Sequence, residues 1–190
     1  PQSLFIQSLP HIGLSDTSAA NQWVTDSAAG MTAIVTGQKT NNGMLSRLPD
    51  GPGTAKRSLK TILEYAEERG LATGVITNMP VWDATPAACY AHAASRKDHG
   101  EIFNEVFHPR FGDGVDILIG ADRGGTWQAM TQLGADTDAL AAKMGYRLYG
   151  SPAPIPADAT RAIAGDETSS GDFDPRPVVA RVIEILSRNP

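Results

Sequence analysis

The run Thr25-Asp26-Ser27-Ala28-Ala29-Gly30-Met31-Thr32-Ala33 sets an acid and a hydroxyl directly before small residues that continue at helical spacing to Gly37. That spacing predicts a helix with Ser27 at its N-terminus. Free backbone N–H groups and the positive end of the helix dipole favour an anion there, either a bound phosphate or the alkoxide developing on the serine itself. Small side chains at 28, 29 and 30 let a substrate approach closely. An Asp-Ser pair also serves as a plain helix cap, and the pair alone does not choose between the two roles.

Spacing excludes several other chemistries. There is no G-x-S-x-G elbow, and Gln38 separates Gly37 from Lys39, where a nucleotide P-loop needs Gly directly before Lys. His11, His92, His99 and His108 show no H-x-x-x-H spacing, and Asp98-His99 reads as a solvated turn between Lys97 and Gly100.

The elements that must position these residues follow from periodicity. Leu59, Ile62, Leu63 and Ala66 share one face of a helix over 58–70, which Ser58 can cap and Gly70 can end. The short apolar, β-branched run 71–77 suits a strand buried in a sheet with helices on its faces. The alternation recurs as a helix around 101–107, a strand at 115–119, a helix around 136–144, a short strand at 146–149 and a helix at 177–187. Strands separated by helices predict an α/β fold with a mostly parallel central sheet and helices on both faces. One domain over 1–190 is expected, with the Pro-, Ala-, Asp- and Ser-rich stretch 151–175 as a long surface connection.

Of 190 residues, 41% are hydrophobic, enough for a real core. The 16 basic and 21 acidic residues give a net charge of −5, so no general electrostatic drive toward nucleic acid or anionic membrane exists, and phosphate chemistry must use local positive charge. The single cysteine, Cys89, excludes an intrachain disulfide framework and a Cys-only zinc site and reads as a small buried hydrophobe. No apolar run reaches the ~18 residues of a membrane span. The start, Pro1-Gln2-Ser3, lacks Met and a basic leader, so the chain reads as mature, trimmed or cut from something larger.

Three ordered blocks resemble the alkaline phosphatase family. The first runs from Val24-Thr25-Asp26-Ser27-Ala28-Ala29 through Thr36-Gly37-Gln38-Lys39-Thr40-Asn41-Asn42-Gly43. The second is Thr61-Ile62-Leu63-Glu64-Tyr65-Ala66 with Gly70-Leu71-Ala72-Thr73-Gly74. The third is Asp83-Ala84-Thr85-Pro86-Ala87-Ala88, followed by Ala91-His92 and Ser95-Arg96. The likeness covers roughly residues 5 to 100 and thins beyond. It implies an alkaline-phosphatase-like core, incomplete here, that hydrolyses phosphate monoesters through a phosphoserine on Ser27. Arg96 would bind two phosphate oxygens, a role suited to a forked guanidinium, and Asp26 would orient it.

The resemblance further implies zinc and magnesium as cofactors, with Ser27, Asp83 and Thr85 as this chain's metal-side positions. The Thr85 hydroxyl would coordinate magnesium, and Asp83 would stand beside that ion. From the residues alone, Asp-Ala-Thr-Pro is equally a turn with Thr85 as N-cap and Pro86 starting a short helix. His92 would lie one turn into that helix as a packed residue, and Lys39 is a surface charge. The zinc ligands of the family lie mainly upstream and downstream of motifs present here, so the chain looks like the middle of a longer enzyme with little activity alone. The family also implies a phosphate monoester substrate and inorganic phosphate as partners, a homodimer, and a periplasmic or extracellular location. Rival readings are a phosphodiesterase, phosphoglycerate mutase or sulfatase on the same scaffold, although no Cys-x-Pro-x-Arg occurs, and a non-catalytic phosphatase-like binding domain.

Overall fold

The computed structural model describes residues 4–11, 13–49, 51, 57–152, 155–168 and 173–188. In chain order its elements are α1 (Ser27–Thr36), α2 (Ile62–Glu67), β1 (Gly74–Pro80), α3 (Ala84–Ala87), α4 (His99–Asn104), β2 (Ile117–Ala121), α5 (Arg123–Gln132), α6 (Thr137–Lys143), β3 (Arg147–Tyr149), β4 (Ala162–Gly165) and α7 (Pro175–Leu186).

The four strands form one sheet in the order β1-β2-β4-β3, and every neighbouring pair is parallel. Leu118 of β2 stands opposite Val75 of β1 and Ile163 of β4, while Ile117 and Ile119 alternate to the other face. This period of two builds two cores. On one side Val75, Leu118 and Ile163 pack with Ala84 and Ala87 of α3, Phe103 of α4, Met130 of α5 and Ala141 of α6. On the other, Ile117, Ile119, Ala162 and Ala164 pack with Val178, Val182 and Ile185 of α7. Those three α7 residues recur at spacings of four and three, one stripe of a helix, and each contributes about 1.5–3 kcal/mol by burial. The fold is therefore the expected α/β arrangement with helices on both faces of a parallel sheet.

Element boundaries differ from expectation for local reasons. The helix expected over 58–70 starts at Ile62, because the Thr61 hydroxyl accepts from the Glu64 N–H (3.1 Å) and Glu64 Oε2 accepts from the Thr61 N–H (2.9 Å), a complete capping box. Ser58 instead bridges to Arg47. Beyond α2, the Thr73 hydroxyl donates to Glu67 and its N–H to Asp116, which fixes the entry to β1; burial pushes both carboxyls above their ordinary range.

Two larger differences concern whole elements. The stretch 151–175 is not all surface connection: Ala162–Gly165 forms β4, fully buried between β2 and β3. Four residues flanked by turn formers are too few to display a period, and the strand is made by neighbours on both sides. The helix α5 has Gly124 and Gly125 in its first turn and buries only Thr126 and Met130, so neither propensity nor an apolar stripe announces it.

Candidate active site

Asp26 stops the chain from entering α1 any earlier. Its backbone is extended (φ −90°, ψ 176°) and its Oδ1 accepts from the Ala29 N–H at 3.0 Å, an N-cap by side chain. Ser27 is thereby the first helical residue, and it is exposed. The helix ends at Gly37 in the left-handed conformation. Ala28, Ala29, Thr32 and Val35 are its buried face. The Thr32 hydroxyl accepts from the Ser46 N–H (2.9 Å), and the Ser46 hydroxyl donates to the Ala88 carbonyl just beyond α3 (2.6 Å). Ser46 thus ties the serine-bearing helix to the Asp83 segment.

A loop at 41–45 joins the remaining parts. Asn42 Oδ1 accepts from the Asp26 N–H, and Asn42 Nδ2 donates to the Val24 carbonyl, both at 2.9 Å. The Gly43 N–H donates to Asp26 Oδ2 at 2.9 Å, and the Gly43 carbonyl accepts from the Arg96 N–H at 2.7 Å. Gly43 has φ +85°, which glycine adopts without strain. Leu45 and Ala93 exchange backbone bonds in both directions, so the segment leading to Arg96 runs along this loop. Asn42 falls in the first family-like block without a role assigned there, and its local signal is the turn-forming Asn-Asn-Gly run.

The Arg96 guanidinium lies between two carboxylates: Nη2 is 2.9 Å from Asp83 Oδ1 and Nη1 is 3.4 Å from Asp26 Oδ2. All three side chains are about a quarter to a third exposed. Asp83 occupies the N-cap position of α3 without a side-chain cap, its carboxylate being turned to Arg96. The helix begins at Ala84, two residues before Pro86, so Thr85 is not the N-cap; it sits within α3 and is exposed. The structure thus joins Asp26, Arg96 and Asp83 directly. Ser27 and Thr85 flank that group on α1 and α3, which pack on each other.

His92 is a correction. It lies in the irregular segment after α3, not in the helix, and it is buried. Its Nδ1 is 3.1 Å from Glu105 Oε2, and its Nε2 is 3.4 Å from Glu64 Oε2 and 3.0 Å from the Leu59 carbonyl. Arg110 reaches Glu64 Oε1 at 3.2 Å. Burial alone would lower the imidazole pKa, but the hydrogen bonds and charges of Glu105 and Glu64 outweigh it and hold it above the ordinary value. Burial likewise opposes ionisation of Glu64, yet His92, the Thr61 N–H and Arg110 bring its pKa below the usual range.

Lys39 is held by Asp16 (2.9 Å) and the Ser18 hydroxyl (2.8 Å). Cys89 packs half-buried against the core, with its thiol pushed up to about 11 by burial. Asp98 is the N-cap position of α4, and the His99 ring stacks on Trp82. Among the described residues no group of three or more His, Cys, Asp or Glu side chains is placed to hold a metal ion. The described residues therefore do not by themselves make a three-ligand zinc site. Asp83 and Thr85 offer oxygen donors of the kind magnesium prefers, with one Asp83 oxygen engaged by Arg96.

Comparison with known proteins bears on the family and the fold. Streptomycin-6-phosphate phosphatase of Streptomyces griseus is 49% identical over 78 residues, 41% of this chain and 16% of that protein. Alkaline phosphatase of Escherichia coli K12 is 44% identical over 90 residues, 47% of this chain and 18% of that one. The solved structure of the alkaline phosphatase from the Antarctic bacterium TAB5 superimposes with a TM-score of 0.78 at 25% identity, covering 97% of this chain and 54% of the other. Two TAB5 variants with Mg bound in the M3 site share the fold at a TM-score of 0.73. The chain thus spans about half of the TAB5 enzyme, and its matches take in under a fifth of those curated relatives. The alkaline phosphatase family model matches residues 1–123 of 190, and on that match the chain belongs to the alkaline phosphatase family.

Proposed function

We propose that the protein carrying this chain hydrolyses phosphate monoesters through a covalent phosphoserine on Ser27. The observation that carries the reading is Arg96 set between Asp26 and Asp83, with exposed Ser27 beginning the helix that Asp26 caps. In this reading the Ser27 Oγ attacks phosphorus and loses its proton. The bond from phosphorus to the ester oxygen breaks, and its electron pair leaves with the alcohol. Water then attacks the phosphoserine, releasing inorganic phosphate and restoring the hydroxyl. Two in-line displacements give retention at phosphorus.

Arg96 binds two non-bridging oxygens of the phosphoryl group, and the two carboxylates keep its planar fork from rotating away. The α1 N-terminus adds at most about 2 kcal/mol, against the 8–23 kcal/mol that typical enzymatic accelerations require. Zinc and magnesium bound in the full-length protein would supply the remaining charge stabilisation and serine activation, and Asp83 and Thr85 would be this chain's contribution to the magnesium site. These 190 residues alone have little or no turnover. By the same family likeness the protein works as a homodimer in the periplasm or outside the cell. No helix among the described residues is long and apolar enough to cross a membrane.

Trapping with labelled phosphate tests the reading. The full-length protein takes up label covalently, and Ser27→Ala takes up none; label retained after that change refutes the assignment. Assay of the 190-residue chain with p-nitrophenyl phosphate, zinc and magnesium tests the second statement, which substantial turnover overturns.

A further inference from the structure

Beside the Arg96–Asp83 ion pair the structure holds an aromatic contact that the proposed chemistry does not use. The Trp82 indole and the His99 imidazole are stacked, with centroids 3.7 Å apart and planes inclined by 19°. Trp82 immediately precedes Asp83, and His99 follows Arg96 by three residues and opens α4. The segments that carry the two ends of the ion pair are therefore joined a second time by their rings.

The backbone next to each ring is fixed. Gly100, next to His99, lies so close to α5 that an added Cβ would stand 2.7 Å from the Ala129 carbonyl oxygen. Ile102 and Phe103, further along α4, are fully buried. On the other side, the Tyr90 hydroxyl donates to the Val81 carbonyl (2.8 Å), and the Asp83 N–H donates to the Pro80 carbonyl (2.9 Å). The Trp82 Nε1 is buried without a hydrogen-bond partner among the described residues. An unpaired indole N–H is unfavourable, and the ring is held by its stack on His99 together with packing against the core. The two rings are only partly buried, at the rim of the core rather than within it.

Arg96 is anchored by its backbone to Gly43, in the part of the molecule that carries α1, whereas Asp83 hangs from the end of β1. The Arg96–Asp83 bond spans these two frames, and the stack is a second contact between the segments that carry its two ends. We propose that Trp82 and His99 are positioning residues for phosphate binding: their stack fixes Asp83 against Arg96 and so aims the guanidinium. This rests on the reading of Arg96 as the phosphate-binding group.

The test is competitive inhibition by inorganic phosphate, measured on the full-length protein. His99→Gln, which keeps size and polarity but loses the ring, raises the inhibition constant about three- to ten-fold, the range expected for an aromatic pair. His99→Phe, which keeps a stacking ring, retains the original constant. In an Arg96→Ala background His99→Gln adds nothing further, because both act through one guanidinium, whereas a general loss of structure would add to the first defect. If His99→Gln leaves the constant unchanged while Arg96→Ala raises it, the positioning role is refuted and the phosphate role of Arg96 stands. If Arg96→Ala changes nothing, the underlying reading is refuted. Equal impairment in Phe and Gln variants overturns the stack as the cause. Should a His99 variant fail to fold, Trp82→Leu removes the same stack from its other side and is read by the same outcomes.

Discussion

Asp26 serves three partners with two oxygens, and separating them is the most direct check on the site. Oδ1 caps α1 through the Ala29 N–H (3.0 Å), while Oδ2 accepts from the Gly43 N–H (2.9 Å) and lies 3.4 Å from Arg96 Nη1. Asp26→Ala removes a cap of about 1 kcal/mol and a charge-assisted bond to a part-buried amide of about 1.5 kcal/mol. The partly exposed ion pair adds only about 0.5 kcal/mol. The sum, roughly 3 kcal/mol, corresponds to about a hundredfold increase in local opening. Amide hydrogen exchange on the full-length protein reads it at the two donors, so the Ala29 and Gly43 amides both exchange about two orders of magnitude faster. Asp26→Asn keeps one acceptor oxygen and places an NH2 group where the second was. One of the two amides then stays protected while the other is released. Unchanged exchange at both amides in Asp26→Ala would refute the three-way geometry, and equal release in Asp26→Asn would refute the division of labour between the oxygens.

Other expectations follow from neighbouring contacts. Asn42→Ala removes the acceptor for the Asp26 N–H and the donor to Val24. It slows phosphoserine formation about tenfold or more through misplacement of Ser27, which rapid-quench labelling measures; an unaltered rate refutes the role. His92 has its folded pKa raised above the ordinary 6.5, so its contribution to stability is whole below about 6.5 and is lost as pH rises through the folded value. Glu64 has its pKa lowered from 4.5, so its contribution is whole above about 4.5 and is lost as pH falls through the folded value. The stability gap between the natural protein and His92→Gln is therefore widest between those limits and narrows on the alkaline side. Chemical denaturation from about pH 5 to 10 that finds a constant gap contradicts the cluster's charge state. Asp83→Ala narrows the ratio of phosphate affinities measured with and without added magnesium, and a ratio equal to that of the unmodified protein refutes a charge role for Asp83.

What was legible in the sequence was local. The start of α1 could be read because Asp26 and the amide it caps are three residues apart, and α7 because its apolar stripe repeats along one segment. The partners of Arg96 could not be read from spacing, since Asp83 is 13 and Asp26 is 70 residues away and the three meet only after β1 and α1 are packed. Family resemblance set Asp26 to orient Arg96 and set Asp83 beside magnesium; the structure places both acids on the arginine, with Asp83 the nearer. β4 escaped for a similar reason. Ala-Ile-Ala-Gly carries no period of its own and becomes a strand only because β2 and β3 offer it backbone partners on both sides. His92 shows the reverse error, in which a local helical reading failed because Glu64, Glu105 and Leu59 hold the ring from three distant segments.

The charge balance of the site gives a physical reason for its acids. Arg96 faces two carboxylates, so this group carries one net negative charge, while a phosphate monoester brings nearly two more at neutral pH. Two unit charges about 4 Å apart interact by about 4 kcal/mol at an effective dielectric constant of 20. A dianion entering against an uncompensated carboxylate therefore meets a cost that the α1 N-terminus, at about 2 kcal/mol or less, does not offset. Lys39 is committed to Asp16, and the exposed Lys97 sits beside the exposed Asp98. If only anion binding mattered, Asp83 would be a liability, since Asp26 already restrains the guanidinium. Its place beside Arg96 would make sense with a divalent cation sharing the site. The Asp83 carboxylate would then lower the cost of bringing such a cation in, the added positive charge would offset that of the phosphate, and Arg96 would be left to orient an anion balanced by other groups.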